Sequence, residues 1–302
     1  MVVAPLVSVL MLTRNHAPFI GQAIASVQAQ SLWPQLELLI GDDDSDDGTT
    51  ALVTQAAQQH PDRIRFWTSP SGALGFHYNF ARLLAAARAP YVAFLEGDDW
   101  WCDYRKLELQ WQLLESSPEL AFCGCRTRLQ PGHAQIGPPP GTRRLGFAQL
   151  VEAYSFHFSA VLMRRSAVEL PPWTRRQYCL DRPLYLLAAC HGDAGVVDAV
   201  MSVYRQHSGG IWSSLSPLQQ ARRSATLFSA MAQAFGQARA PLFRQALRPV
   251  LTSYLERALG QGRRAEAAMI LVLLMLRTDP RAAGMRWWAA AGRRLLWLPA
   301  RP

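Results

Sequence analysis

Three apolar runs in the N-terminal third of the chain each end in a cluster of polar residues. The runs cover residues 6–12, 36–40 and 91–95, and the clusters cover 13–15, 42–49 and 96–99. Runs of this length, bounded by turn formers, predict strands, and the patterns over 18–30 and 50–59 predict helices after the first two. Because open α/β sheets bind ligands at the carboxyl ends of their strands, the pattern predicts a crevice along one sheet edge.

The third cluster is the most informative about chemistry. It contains Glu96, Asp98 and Asp99, and Trp100 and Trp101 follow directly. Carboxylates this close repel one another, so a fold brings them together at a strand end only with a compensating cation. Oxygen ligands of this kind suit Mg²⁺ or Mn²⁺, which commonly carry bound phosphates. A solvated acidic turn is the alternative that this motif alone leaves open.

Charge divides the chain of 302 residues into two parts. From Arg222 onward fourteen arginines face three acids, a net charge of +11, which leaves −2 of the chain's +9 for the preceding residues. The segments 218–235, 242–259 and 263–277 have helical patterns, with Gly or Pro between them. We therefore expect an α/β domain over 1–215 and a basic helical extension over 216–302.

The end of the extension suggests contact with a surface. A helix over 285–298 would place Trp288, Ala291, Leu295 and Leu298 on one face and Arg286 and Arg293 away from it. This composition fits a helix lying in the headgroups of an anionic membrane, and a helical subdomain or a dimer contact is the equal alternative. The apolar run 269–276 is too short to span a bilayer, and no nucleic-acid-binding motif is recognised.

Cysteine usage and the N-terminus predict the compartment. Five cysteines without CxxC spacing favour a reduced, cytosolic chain with buried thiols over a disulfide framework or a zinc site. The first five residues lack a basic n-region, and their apolar run ends at the first polar loop. We therefore interpret this segment as the first strand and not as a signal peptide.

An ordered set of motifs covers about the first 215 residues. They are VSVLMLTRN at 7–15, ASVQAQS at 25–31, the acidic segment 37–49, EGDD at 96–99, FHFSAVLMRR at 156–165, Asp181, and YRQHSGG at 204–210. In this order they resemble the family-2 glycosyltransferases. The resemblance implies the GT-A fold, a Rossmann-like mixed sheet flanked by helices, and inverting sugar transfer from a nucleotide-diphosphate donor.

The resemblance also assigns the donor site. It implies that nucleotide sugar contacts Thr13, Arg14, Asn15, Asp43, Asn79, Glu96, Gly97, Asp98, Arg205 and His207. Asp98 matches the ligand of a Mn²⁺ or Mg²⁺ ion, and Asp43 matches the aspartate that accepts from the uracil N3–H. Tyr is commoner at the position of Arg14, which leaves uracil or thymine open, although a UDP-sugar is favoured.

Other positions keep two interpretations. Glu96 stands where Asp is commoner, so its longer side chain is expected to reach through water or a sugar hydroxyl. Asn79 is a pocket residue or a helix cap. Arg205 and His207 are candidates for the diphosphate, and His207 alternatively completes the metal sphere. His157, between two phenylalanines, is more typical of a core residue.

Asp181 carries the catalytic prediction. It precedes an apolar helix, which fits an N-cap, and the resemblance implies that it is the general base that deprotonates the acceptor hydroxyl; the two roles can hold together. The functional prediction is transfer to a glycan or lipid-linked acceptor in surface polysaccharide assembly, in the cytoplasm or at the inner face of the plasma membrane. The alternatives are a sugar nucleotidyltransferase, disfavoured by the absence of a glycine-rich phosphate loop, and a non-enzymatic membrane-surface protein.

Overall fold

The computed structural model describes residues 4–69, 72–207, 209, 210, 212 and 214–278, which form two compact units. The first unit consists of Met1–Leu150, Tyr154–Pro171 and Leu180–Gln206. The second contains Val151–Ala153, Pro172–Cys179 and the chain from His207 onward. The change of unit at His207 comes earlier than the boundary at 215 expected from the sequence, because the last long strand ends at Arg205.

The first unit is built on one mixed sheet. Its strands are β1 (Val7–Thr13), β2 (Leu36–Asp42), β3 (Ile64–Trp67), β4 (Tyr91–Glu96), β5 (Trp100–Trp101), β6 (Leu120–Gln130), β7 (Gln135–Ile136), β8 (Arg144–Leu145), β9 (Val161–Arg164) and β10 (Asp193–Arg205). The order is β3-β2-β1-β4-β9-β6-β10-β5, and β3, β2, β1 and β4 are parallel. β9 runs antiparallel between β4 and β6.

Six helices accompany the sheet. They are α1 (Ala17–Gln28), α2 (Thr49–Gln59), α3 (Phe76–Ala86), α4 (Lys106–Ser116), α5 (Phe147–Glu152) and α6 (Asp181–Ala188). Every residue of β1 and β2 is buried, as expected for parallel strands covered on both faces. The three strands and two helices predicted in this region are therefore confirmed, with bounds that differ by one or two residues.

The register of the central strands aligns their polar ends. Thr13 at the end of β1 pairs with Asp42 at the end of β2, and Leu12 pairs with Glu96 at the end of β4. The predicted crevice edge is thus a continuous feature of the sheet. The segment 132–146 is rich in glycine and proline, a composition typical of a loop, but it contains β7 and β8, which pair with β6 and β10.

The second unit is helical. Its helices α7 (Pro217–Ala234), α8 (Ala240–Gly260) and α9 (Arg264–Arg277) pack against one another, and they correspond to the three helical segments that the sequence predicted. Ser216 begins α7 with a capping box, since its hydroxyl accepts from the Gln219 N–H and the Gln219 side chain accepts from the Ser216 N–H. The predicted helix over 285–298 lies outside the described residues. Among those that are described, no helix is long and apolar enough to cross a membrane.

Candidate active site

The ends of β1 and β4 approach each other closely at the sheet edge. The Gly97 N–H donates to the Leu12 carbonyl at 2.8 Å. A Cβ at Gly97 would lie 2.7 Å from Thr13 Oγ1 and 2.9 Å from His16 Nδ1, so only glycine fits. Thr13 is buried, and its hydroxyl has no hydrogen-bond partner among the residues that the structure describes. This unpaired group is therefore placed to receive a ligand.

The acidic loop after β4 concentrates negative charge in a buried place. Burial raises the pKa of Glu96 well above its usual range, and the charges of Asp98, Asp99 and Asp181 raise it further. Burial and the charge of Asp98 likewise raise the pKa of Asp99. A bound cation would relieve both effects, because it favours the ionised carboxylates.

One group of side chains at this loop has the spacing that a metal ion needs. Ligand atoms of Glu96, Asp99 and His157 all lie within 4.8 Å of one another. The sequence missed His157 as a member of this group. Burial lowers the pKa of His157 to about 4, so its ring is neutral at physiological pH and keeps a lone pair. Two carboxylates and an imidazole are donors that Mn²⁺ accepts.

Asp99, however, is already held by the protein. The Ser159 hydroxyl donates to one carboxylate oxygen at 2.7 Å, and the Arg205 N–H donates to the other at 3.0 Å. His157 Nδ1 lies 3.5 Å from the same carboxylate. Asp99 therefore orients the loop, and Asp98 beside it remains our candidate for the ion. Asp98 Oδ2 lies 3.6 Å from His16 Nε2, a neighbour that no sequence pattern predicted.

Arg205 holds the backbone of the acidic loop. Its Nε donates to the Asp98 carbonyl at 2.9 Å, and an Nη donates to Gln22 Oε1 at 2.7 Å. The guanidinium lies 4.5 Å from the ring centroid of Trp100 and 4.6 Å from that of Phe19. These contacts account for Trp100 as a packing residue, and they assign Arg205 a structural role that the sequence did not indicate.

Asp181 reaches the same cluster from α6. Its charge raises the pKa of Glu96 and partly offsets the lowered pKa of His157, so it lies within electrostatic reach of both. The N-cap of α6 is Leu180, which makes the capping interpretation of Asp181 wrong. One carboxylate oxygen of Asp181 is buried without a hydrogen-bond partner among the described residues. A buried oxygen of this kind is an available proton acceptor.

On the β2 side, Asp43 is buried and anchors the segment before α3. Its carboxylate accepts from the Leu74 N–H at 2.7 Å and from the Gly75 N–H at 3.0 Å. Two backbone N–H groups thus donate to the Asp43 carboxylate. The resemblance implies that the same carboxylate accepts from a nucleobase N–H. Asp42 is bound by the hydroxyls of Ser45 and Thr50, so it stabilises the start of α2.

Asn79 fills the space above Gly41. Its amide donates to the Gly41 carbonyl at 2.7 Å, and its oxygen accepts from Arg82 at 2.8 Å. The N-cap of α3 is Gly75, so the capping interpretation of Asn79 is wrong. Arg82, which the sequence analysis did not single out, also donates to the Asp42 carbonyl at 3.0 Å and thereby ties α3 to β2.

The remaining predicted residues lie in the flanking loops. Asn15 has a positive φ of 54° and accepts the Asp46 N–H, which joins the β1 and β2 loops. Arg14 is exposed at the same edge. His207 belongs to the second unit. The structure thus brings Thr13, Glu96, Gly97, Asp98, Arg205 and Asp181 together at one sheet edge, with Asp43 at the end of the adjacent strand.

Sequence comparison assigns the chain to a family. The model of glycosyl transferase family 2 matches residues 8–170, so the chain belongs to this family. An uncharacterized protein of Mycobacterium tuberculosis is 30% identical over 213 residues, which are 68% of this chain and 60% of that protein. The GalNAc(5)-diNAcBac-PP-undecaprenol beta-1,3-glucosyltransferase of Campylobacter jejuni is 34% identical over 95 residues, 32% of this chain and 30% of that enzyme. The chain therefore spans less than two thirds of these relatives.

Solved structures confirm the GT-A fold. The S. aureus protein TarS (residues 1–349, in complex with UDP-GlcNAc) gives a TM-score of 0.66 at 12% identity and covers 89% of this chain and 81% of its own. The mannosyltransferase PcManGT of Pyrobaculum calidifontis, in complex with GDP-Man and Mn²⁺, gives 0.58 at 20% identity over 98% and 88%. The family assignment favours glycosyl transfer over the nucleotidyl transfer that the sequence left open.

Proposed function

We propose that this glycosyltransferase inverts the anomeric centre as it moves a sugar from a nucleotide diphosphate, with a divalent ion, to a glycan or lipid-linked acceptor. The observation that carries the proposal is the buried oxygen of Asp181, which has no hydrogen-bond partner among the described residues and lies within electrostatic reach of Glu96. A general base acts on the acceptor hydroxyl, and an acidic loop can bind a divalent cation for the leaving diphosphate. These are the two groups that a metal-assisted single displacement uses.

The acidic loop would hold the metal. The raised pKa values of Glu96 and Asp99 fit a site whose carboxylates ionise fully only beside a cation. When bound through Asp98, the ion would neutralise charge on the departing diphosphate. We favour Mn²⁺ or Mg²⁺ because the donors are mainly carboxylate oxygens. The Mn²⁺ in the mannosyltransferase structure supports this choice.

Asp181 would act on the acceptor. Its unpaired oxygen accepts the proton of the acceptor hydroxyl as that oxygen attacks the anomeric carbon opposite the leaving diphosphate. The oxocarbenium character of the transition state is stabilised by the surrounding negative charge. A single displacement of this kind inverts the configuration at that carbon.

Thr13, Arg14 and Asp43 would receive the nucleobase. We propose a UDP-sugar, because the carboxylate of Asp43 already binds N–H donors, which the N3–H of uracil would replace or join. The UDP-GlcNAc complex of TarS supports this donor class. Arg14 can stack its planar guanidinium on the base.

We propose an acceptor in cell-surface polysaccharide assembly. The Campylobacter relative is named for a polyprenol-linked glycan acceptor. A polyprenol-linked acceptor is held in a membrane, so we propose that the enzyme acts in the cytoplasm, as a peripheral protein at the inner face of the plasma membrane. The basic extension supports this location by its charge.

The substitution Asp181→Asn tests the proposal. It keeps the shape of the side chain and removes the base, so we expect transfer to fall by about 10²-fold or more. UDP binding in the presence of Mn²⁺ should be unchanged. The control is Asp62→Asn, which makes the same change at an exposed turn. Turnover of Asp181→Asn at the unsubstituted rate would disprove the base, and a retained anomeric configuration would disprove the single displacement.

A further inference from the structure

The most exposed apolar surface that the structure describes lies on α9. The exposed fractions are 43% for Met269, 52% for Val272, 46% for Met275 and 74% for Leu276. Together with the exposed Ala265 and Ala268 they form what we call the α9 stripe. Between its terminal residues, α9 carries no exposed charged or polar side chain. A contiguous apolar patch of this kind marks an interaction site.

The geometry of the stripe is that of one helix face. At 3.6 residues per turn its members fall within an arc of about 120° and extend for about 17 Å. The opposite face contains the buried residues Ala267, Ile270, Leu271 and Leu274 and packs against α7 and α8. The helix is therefore held by the protein on one side and presents a second apolar face to its surroundings.

The helical segment that contains the stripe is positively charged, and arginines stand at both ends of α9. Over 217–278 the chain has nine arginines and only Glu256 and Glu266 as acids, a net charge of +7. Arg263 and Arg264 stand at the start of α9 and Arg277 at its end, and all three are exposed. An apolar face with cations at its margins is typical of helices that lie in the headgroup region of a membrane.

We propose that the α9 stripe inserts into one leaflet of an anionic lipid bilayer while the flanking arginines contact lipid phosphates. At 14 residues, about 21 Å, α9 is too short to span the hydrocarbon core of about 30 Å, so it lies in the surface. Charge complementarity favours an anionic membrane over a second copy of this chain as the binding partner of the stripe. A second copy of this chain would bring two units of charge +7 together, whereas an anionic leaflet attracts them.

This inference deepens the proposed function, because an enzyme docked on the membrane would lie close to a lipid-linked acceptor. It rests on the proposed function only for the biological role of membrane binding. Vesicle binding requires no donor, no metal and no turnover, so the two can fail separately.

The test measures sedimentation of the full chain with vesicles. We expect binding to vesicles of phosphatidylcholine with phosphatidylglycerol, little binding to phosphatidylcholine alone, and a decrease as salt rises. The double substitution Val272→Gln and Leu276→Gln should lower the partition coefficient by about tenfold or more, since it removes two inserting side chains. The matched control is Leu52→Gln, at an apolar residue of α2 that is exposed to 40%.

Two further measurements test whether the double variant is still folded and whether an apolar side chain is what vesicle binding requires. Unchanged thermal unfolding and UDP binding of the double variant would show that its loss of vesicle binding is a loss of docking. Leu276→Phe, which keeps the side chain apolar, should bind vesicles at least as well as the unsubstituted chain.

The proposal is overturned if the unsubstituted chain does not bind the anionic vesicles, or if the double variant binds them equally well. It is also overturned if removal of residues 279–302 abolishes binding while the double substitution does not. A dimer in sedimentation equilibrium that the double variant loses, without vesicle binding by either, would instead assign the stripe to self-association.

Discussion

At the scale of single residues, the carboxylates of the site differ in how fully the protein hydrogen-bonds their oxygens. Asp99 accepts hydrogen bonds from a hydroxyl and a backbone N–H, and Asp42 accepts from two hydroxyls, whereas one buried oxygen of Asp181 has no partner among the described residues. Carboxylates that are fully hydrogen-bonded position the chain, and those with free lone pairs are available to ligands. This difference separates structural from chemical roles among residues that look equivalent in the sequence.

Asp98→Ala should abolish turnover and weaken the Mn²⁺-dependent binding of UDP, because the diphosphate would lose its bridge to the protein. The Asp98 carbonyl that accepts from Arg205 is retained in this variant, so the loop should keep its backbone contacts. Calorimetry with UDP, in Mn²⁺ and in EDTA, measures the effect, with Asp62→Ala as the control. Full activity of the unsubstituted enzyme in EDTA would contradict the metal assignment.

At the scale of elements, β10 and α1 together hold the loop between β4 and β5. Arg205 at the end of β10 donates to the Asp98 carbonyl and to Gln22 of α1, and its guanidinium is close to the rings of Trp100 and Phe19. The loop therefore depends on three elements that are distant in sequence. This arrangement lets a short acidic turn keep its shape although its carboxylates repel one another.

Arg205→Lys should lower kcat/KM by about tenfold, because an ammonium group cannot reproduce the planar stacking and the two directed hydrogen bonds. We expect the KM for the donor to rise while the secondary structure by circular dichroism is unchanged. Arg128→Lys, on an exposed residue of β6, is the matched control. Equal kinetics of Arg205→Lys and the unsubstituted enzyme would show that the loop keeps its shape without this contact.

At the scale of the whole molecule, the only lysine of the chain lies fully buried beneath the site. Lys106 donates to Gln110 Oε1 at 2.8 Å and lies 4.3 Å from the ring centroid of Trp101. The Trp101 indole in turn donates to the Ser159 carbonyl at 2.7 Å. Burial lowers the pKa of Lys106 to about 8, so its charged form costs folding free energy.

The contribution of Lys106 to the free energy of unfolding should therefore rise with pH between about 8 and 10.4, since the unfolded chain binds the lysine proton more tightly than the folded one in this window. Below pH 8 the whole penalty is present. Lys106→Met should remove this increase. Urea unfolding at pH 7.5 and 9.5 measures it for both chains, and an equal pH dependence would show that Lys106 does not titrate within the fold.

The amino-acid sequence by itself determined the strands, the helices that follow them, and the acids at the strand ends. Continuous apolar runs must be buried, and the polar residue after each run must lie at the same edge when the strands are parallel. Ordered motifs then identified the family. The three helices of the extension were also predictable, because their periodicity is a local property.

Only the tertiary structure decided how each side chain is used. Ser159 and Asp99, 60 residues apart, and Arg205 and Asp98, 107 apart, meet through the packing of the sheet. Asn79 supports Gly41, and one oxygen of Asp181 has no hydrogen-bond partner among the described residues. The α9 stripe was an apolar run in the sequence, and its exposure depends on which face α7 and α8 cover. Burial and hydrogen-bond partners arise from residues distant along the chain, so no local pattern contains them.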